Sequence, residues 1–257
     1  MPASQTAPAA PWPRLALLAI TRQGVMQAAR LARHWPQATV CAPARWAAPL
    51  AALPNPQRIY SGVLRDEIGP LWAGHDQLVC FVSLGAMVRL LAPHLKSKHE
   101  DPGVTVVDEA ARFAIAMLSG HVGGANECAQ RVAALLGAVP VITTASDVTG
   151  TLAVDILGRD HGWRVVATPP ALTQAAASVV NGEPVAFVQE AGRLCHWWPH
   201  AAPLPGNIRV FSRMADVPPN AFAAVLWATA DEAALQSGWP GQTKAPLVIY
   251  LTPPDAA

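Results

Sequence analysis

Leu15-Ala16-Leu17-Leu18-Ala19-Ile20, then Thr21-Arg22-Gln23-Gly24, then Val25, Ala28, Ala29 and Ala32: this stretch decides the fold. The apolar run has the length of a buried strand, the polar residues and Gly24 break it, and the later apolar positions return at helical spacing. The same order recurs where Leu78 to Val82 is followed by Ser83-Leu84-Gly85 and a helical segment Ala86 to Leu91 that stops near Pro93. Strand and helix in alternation predict an α/β protein, with mixed or mainly parallel sheet flanked by helices.

Working outward, Val104 to Val107 and Phe113 to Leu118 flank Asp108-Glu109-Ala110-Ala111-Arg112, a spacing that predicts a hairpin. After the second strand comes Ser119-Gly120-His121-Val122-Gly123-Gly124-Ala125-Asn126, where the chain turns sharply into a helix with Ala125, Ala129, Val132, Ala133 and Leu136 on its inner face and Gly137 as its C-terminal stop. A strand follows at Val139 to Thr143. From Trp163 the rhythm starts afresh: a strand to Val166, Pro169-Pro170, an Ala-rich helix to Val180, a strand from Val185 to Val188, and apolar runs at Ala223 to Leu226 and Leu247 to Leu251. Two domains are expected, 14–162 and 163–253, between a disordered tail over 1–13 and a short tail over 254–257.

The 257 residues are 52% hydrophobic with a mean hydropathy of +0.25, enough to bury substantial cores. Net charge is +1 with dispersed basic residues, which argues against nucleic acid as a partner. No apolar run reaches the roughly 18 residues of a spanning helix, and residues 1–13 lack the basic start of a secretory signal, so no membrane partner is expected. Cys41, Cys80, Cys128 and Cys195 lie far apart without a CxxC pair, as expected of reduced thiols in a cytoplasmic protein. Cys195, His196 and His200 have no familiar zinc spacing, and no metal site is assigned. Trp197 and Trp198 complete a core or stack on a flat ligand.

The stretch Ser119 to Asn126 carries the candidate chemistry. Backbone N–H groups at Gly123 and Gly124, near a positive helix end, suit an anion; Ser119, Gly120 and Asn126 offer close approach and hydrogen bonds, and His121 suits proton transfer near neutral pH. A tight turn in which His121 merely packs explains the same residues. GxxxxGK[ST], GxGxxG and GxSxG are all absent here. Thr143, Thr144 and Asp147, after a strand, line a ligand or cap the next helix. Arg89, Lys96, Lys98 and His99 clamp carboxylates or form a solvated basic face.

These blocks together resemble the cobalt-precorrin 5A hydrolase (CbiG) family of cobalamin biosynthesis: Val106-Val107-Asp108-Glu109, Leu118 to Glu127, Val141 to Asp147, and Gly85-Ala86-Met87-Val88-Arg89 with Leu91-Ala92-Pro93 upstream. The strong likeness covers about 80–157. Ala111 stands where the family often has Gly, and Ser146 where it often has Thr. The resemblance implies opening of the ring-A δ-lactone of cobalt-precorrin 5A with release of acetaldehyde. His121 is then the first candidate for proton transfer, with Asp108, Glu109 and Asp147 behind it, in a cleft between domains. The cobalt is carried by the substrate and no separate cofactor is implied. Because family members continue into a third domain, the resemblance also implies a partner supplying that domain, or a methyltransferase of the pathway. A non-catalytic corrinoid-binding subunit is the main rival, and an unrelated module for phosphorylated metabolites the third reading.

Overall fold

The computed structural model describes residues 12–192, 197–198, 203–233 and 245–253, which fall into two compact units, Met1–Thr143 and Thr144–Ala257. In the first unit the strands are β1 Leu15–Ala19, β2 Thr39–Pro43, β3 Gln57–Tyr60, β4 Gln77–Phe81, β5 Gly103–Val107, β6 Phe113–Leu118 and β7 Val139–Val141. The helices are α1 Arg22–Ala32, α2 Leu64–Gly74, α3 Leu84–Leu91 and α4 Ala125–Leu136. Among the described residues these strands form one sheet in the order β3-β2-β1-β4-β5-β6-β7.

β1 to β5 run parallel to one another, and β1, β4 and β5 are buried on both faces, as parallel strands covered by helices must be. One face packs Leu15, Leu17, Val79 and Phe81 against α1 and α4; the other packs Leu18, Cys41, Cys80 and Val106 against α2 and α3. The chain winds from β1 out to β3, then crosses to β4 on the other side of β1, so the topological switch lies between β1 and β4. β6 then reverses direction against β5, and β7 follows β6 in parallel. The expected α/β architecture and the hairpin are therefore present. Strands β2 and β3 and helix α2 were not foreseen.

The hairpin turn is held by Asp108, whose Oδ1 accepts the N–H groups of Arg112 and Phe113, each at 2.7 Å. Partial burial works against ionisation, but those two N–H groups, with the Arg112 guanidinium and the Ala110 N–H, outweigh it and hold the carboxyl below its usual range. A folded-state value below the unfolded one stabilises the fold above the ordinary carboxylate range, about pH 4, and the contribution disappears as pH falls through the lowered value. Asp108→Ala should thus destabilise at pH 7, with the gap from the parent closing in urea titrations below about pH 4. A gap independent of pH would mean that the carboxylate charge does not hold the turn. In the same turn Ala111 adopts φ of +52° while donating to Asp108 O, which gives a steric reason for glycine at that place.

The second unit begins with α5 Ala145–Thr149 and continues with β8 Arg164–Val166, α6 Pro169–Val180, β9 Val185–Gln189, β10 Ile208–Phe211, β11 Ala224–Thr229 and β12 Leu247–Leu251. Its described strands are ordered β10-β9-β11-β12-β8, parallel except for β8. The division expected near Gly162 falls instead after Thr143. The reason is packing: Leu152, Val154 and Leu157 belong to the core of the second sheet, and the buried Tyr250 hydroxyl donates to Val154 O at 2.8 Å. Trp12, expected within a disordered tail over 1–13, is instead buried edge-on against Trp35 in the first core. Residues 1–11 and 254–257 lie outside the described residues, as do Cys195, His196 and His200.

Candidate functional site

The stretch from Ser119 to Asn126 joins β6 to α4. Because β6 runs against the five parallel strands, this loop lies at their amino edge and packs on the start of β5: a Cβ on Gly123 would meet Gly103 N at 2.8 Å. Asp108 and Glu109 follow β5 at the opposite edge. Five residues at about 3.3 Å each separate the two edges by roughly 16 Å, so the structure does not bring Asp108 or Glu109 together with His121. Glu109 accepts from Thr21 Oγ1, whose oxygen in turn accepts the Gly24 N–H and caps α1.

Within the loop the backbone is closely folded. Ser119 takes φ of +53°, and Gly124 takes φ of +79° as the residue before α4. Glycine is required where neighbours come too near for a side chain. A Cβ on Gly120 would stand 2.5 Å from Asn126 Oδ1, one on Gly123 2.5 Å from Ser119 Cβ, and one on Gly124 2.8 Å from Trp12 Nε1. Asn126 is buried, and Ser119 Oγ is enclosed without a hydrogen-bond partner. His121 is half-buried.

The N–H groups at the start of α4 turn inward. Gly124 donates to His121 O at 3.0 Å, Ala125 to Ser119 O at 3.3 Å, and Asn126 to Gly120 O at 3.0 Å. Gly124 was expected to offer its N–H to an anion, and that donor is engaged within the loop. What persists is the positive end of a 12-residue helix beside His121 and Gly123.

Lys96 and Lys98 are exposed on the connection that leads into β5 at this same edge, where the Lys96 N–H donates to the Asp101 carboxylate. Arg89 is exposed on α3 and donates to Gly85 O at 2.9 Å. Thr143 is exposed just beyond β7, which runs parallel to β6 and so leads the chain back to the loop's edge. Thr144 and Asp147 belong to the second unit, the former at the N-cap position of α5 without a side-chain cap and the latter exposed in its first turn.

Two further groups went unnoticed in the sequence. Gln77 and Thr105 are fully buried beneath the loop: Gln77 Nε2 lies 3.4 Å from Thr105 Oγ1, which donates to Ala125 O at 3.3 Å. A polar residue at the head of an apolar run was the only available signal. Trp197, considered as a stacking platform, packs on Phe187 with ring centroids 4.3 Å apart and donates to Gln189 Oε1, so it completes the second core. The described cysteines Cys41, Cys80 and Cys128 are buried and unbridged.

The chain matches two family models in order, "Cobalamin synthesis G N-terminal" over residues 66–147 and "Cobalamin biosynthesis central region" over residues 152–240. The first of these contains every candidate residue from Arg89 to Asp147. A cobalt-precorrin-5A hydrolase of Priestia megaterium is 43% identical over 197 residues, 77% of this chain and 52% of that protein. One from Salmonella typhimurium is 36% identical over 143 residues, 56% of this chain and 39% of that protein. The chain thus spans about half the length of the first relative and less of the second. A crystal structure described as a cobalamin biosynthesis protein G homologue, from Sulfolobus solfataricus, aligns at a TM-score of 0.48 and 17% identity, over 94% of this chain and 61% of the other. With both models matched in chain order and the relatives agreeing with them, the chain belongs to the CbiG, or cobalt-precorrin 5A hydrolase, family of cobalamin biosynthesis.

Proposed function

We propose that this protein opens the ring-A δ-lactone of cobalt-precorrin 5A and releases acetaldehyde, with the corrinoid held at the edge formed by the Ser119 to Asn126 loop. The observation that carries the reading is 43% identity over 197 residues to a relative named for this hydrolase. In the first step His121 takes a proton from water as its oxygen adds to the lactone carbonyl, and the positive end of α4 steadies the oxyanion before the ring oxygen leaves. In the second, loss of the proton from the freed hydroxyl releases acetaldehyde, and the electron pair left on the ring carbon takes up a proton. Asp108 and Glu109, at the far edge, serve the hairpin and the α1 cap. Thr143 and the exposed Lys96, Lys98 and Arg89 hold peripheral carboxylates, while the buried Asn126 steadies the loop that binds the corrinoid.

No cofactor enters this scheme, since the cobalt arrives in the substrate. Titration with a cobalt-precorrin, followed by visible absorbance, tests the binding half of the reading. Saturation at micromolar ligand, weakening as salt rises, is expected because the contacts are largely ionic and exposed. A flat titration would remove the corrinoid from the account.

A further inference from the structure

Gln77, the first residue of β4, is fully buried, and its Oε1 has no hydrogen-bond partner. The oxygen is not in open space. A Cβ on Gly103 would lie 2.0 Å from Gln77 Oε1 and 2.3 Å from the Gly123 carbonyl oxygen, so both oxygens crowd the one point that Gly103 leaves empty. Two acceptors that approach one point without a donor between them repel, and a buried polar atom left unpaired costs about 1–3 kcal/mol. The two ends of a side-chain amide are nearly the same shape, and the hydrogen-bond network decides which end points where.

We propose that Gln77 is the positioning residue of the glycine loop: with its amide turned end for end, its NH2 group donates to the Gly123 carbonyl, and its oxygen faces Thr105 and Cys128. The inference rests on the site reading above and deepens it. In that orientation the Cys128 thiol, which interacts with both Thr105 and Gln77 and which burial pushes up to about 12, stays protonated and donates to Gln77 Oε1. Thr105 keeps its bond to Ala125 O. Gln77, Thr105 and Cys128 then form a satisfied network under the loop. Gly123 is the link from this network to His121, because the next residue, Gly124, closes the turn by donating to His121 O. Fixing the Gly123 carbonyl fixes the backbone that carries the histidine.

In the full-length, isotope-labelled chain, scalar coupling across the hydrogen bond from Gln77 Nε2 to the Gly123 carbonyl carbon is the direct measurement. Coupling at that pair is expected; its absence overturns the proposal. Gln77→Met then tests the consequence. Amide exchange over 121–126 should speed up by about tenfold or more while β1 is unchanged. Turnover should fall by about tenfold with KM held within about twofold, the mark of a misplaced reacting group rather than lost binding. Unchanged exchange over 121–126 would overturn positioning even where the coupling is seen. Should Gln77→Met fail to fold, the same exchange measurement on Cys128→Ala, which removes the thiol donor to Gln77 Oε1, takes its place, with faster exchange over 121–126 expected and unchanged exchange overturning positioning. Neither magnetic-resonance readout needs turnover, so a parent chain that releases no acetaldehyde counts against the hydrolase reading alone.

Discussion

Replacing His121 by alanine is expected to lower turnover of cobalt-precorrin 5A by about 100-fold or more and to leave corrinoid affinity nearly intact, the pattern of a lost general acid or base. The size follows from place as much as from type. His121 sits between Gly120 and the positive end of α4, and its carbonyl closes the turn before that helix, so the side chain is borne by backbone with little freedom. Single-turnover kinetics separate chemistry from binding. Equal turnover in His121→Ala and parent would assign the histidine to packing. Asn126→Ala is the contrast: Asn126 is buried with Oδ1 against Gly120, so its loss should loosen the loop and weaken binding as well as turnover.

The second large effect is on stability. Gly103→Ala would bring a methyl group to 2.0 Å from Gln77 Oε1 and 2.3 Å from the Gly123 carbonyl oxygen. A flexible side chain could swing away from the first contact, but the second is backbone of the glycine loop. Overpacking of this kind costs about 3 kcal/mol, and a fall in Tm on the order of 10 °C is expected for a unit of this size. Differential scanning calorimetry measures it. A fall under about 2 °C would mean that β5 and the loop are held apart more loosely than the structure has them. Gly137→Ala makes a control, since a Cβ there meets nothing within 4 Å and only its φ of +75° opposes the change.

Much of the fold was legible in the residues. The apolar runs that became β1, β4, β5 and β6 are continuous and bounded by turn residues, and Gly137 stops α4 in the left-handed conformation, φ +75°, as its place after the last apolar position predicts. What escaped notice lacked that contrast. β3 is an edge strand whose Gln57, Arg58 and Ile59 are exposed, so nothing in its pattern marks a buried face. α2 carries Pro70 inside it and buries little beyond Ile68 and Leu71. The boundary was displaced because Leu152, Val154 and Leu157 enter the second core from irregular chain rather than from a periodic element.

The candidate site was legible in part, and for a physical reason. Local sequence marked the glycine loop, but grouping Asp108 and Glu109 with His121 neglected what the hairpin itself implies: a strand that reverses carries its far end away from the turn. Residue type named Asp108 as an acid, whereas its partners, the N–H groups of Arg112 and Phe113, bind it to the turn as a carboxylate. Gln77 and Thr105 lie 42 or more and 14 or more positions upstream of the loop they support, and only the register of β4 on β5 brings them beneath it.

Among the described residues no helix is long and apolar enough to cross a membrane. The central claim is that this chain, built around the Ser119 to Asn126 loop, catalyses hydrolysis of cobalt-precorrin 5A. Incubation of the purified protein with that corrinoid under single-turnover conditions, with acetaldehyde trapped and quantified against time, tests it most directly. The account predicts release of one acetaldehyde per corrinoid consumed, abolished in His121→Ala. Corrinoid that binds and is recovered with its lactone intact would contradict it.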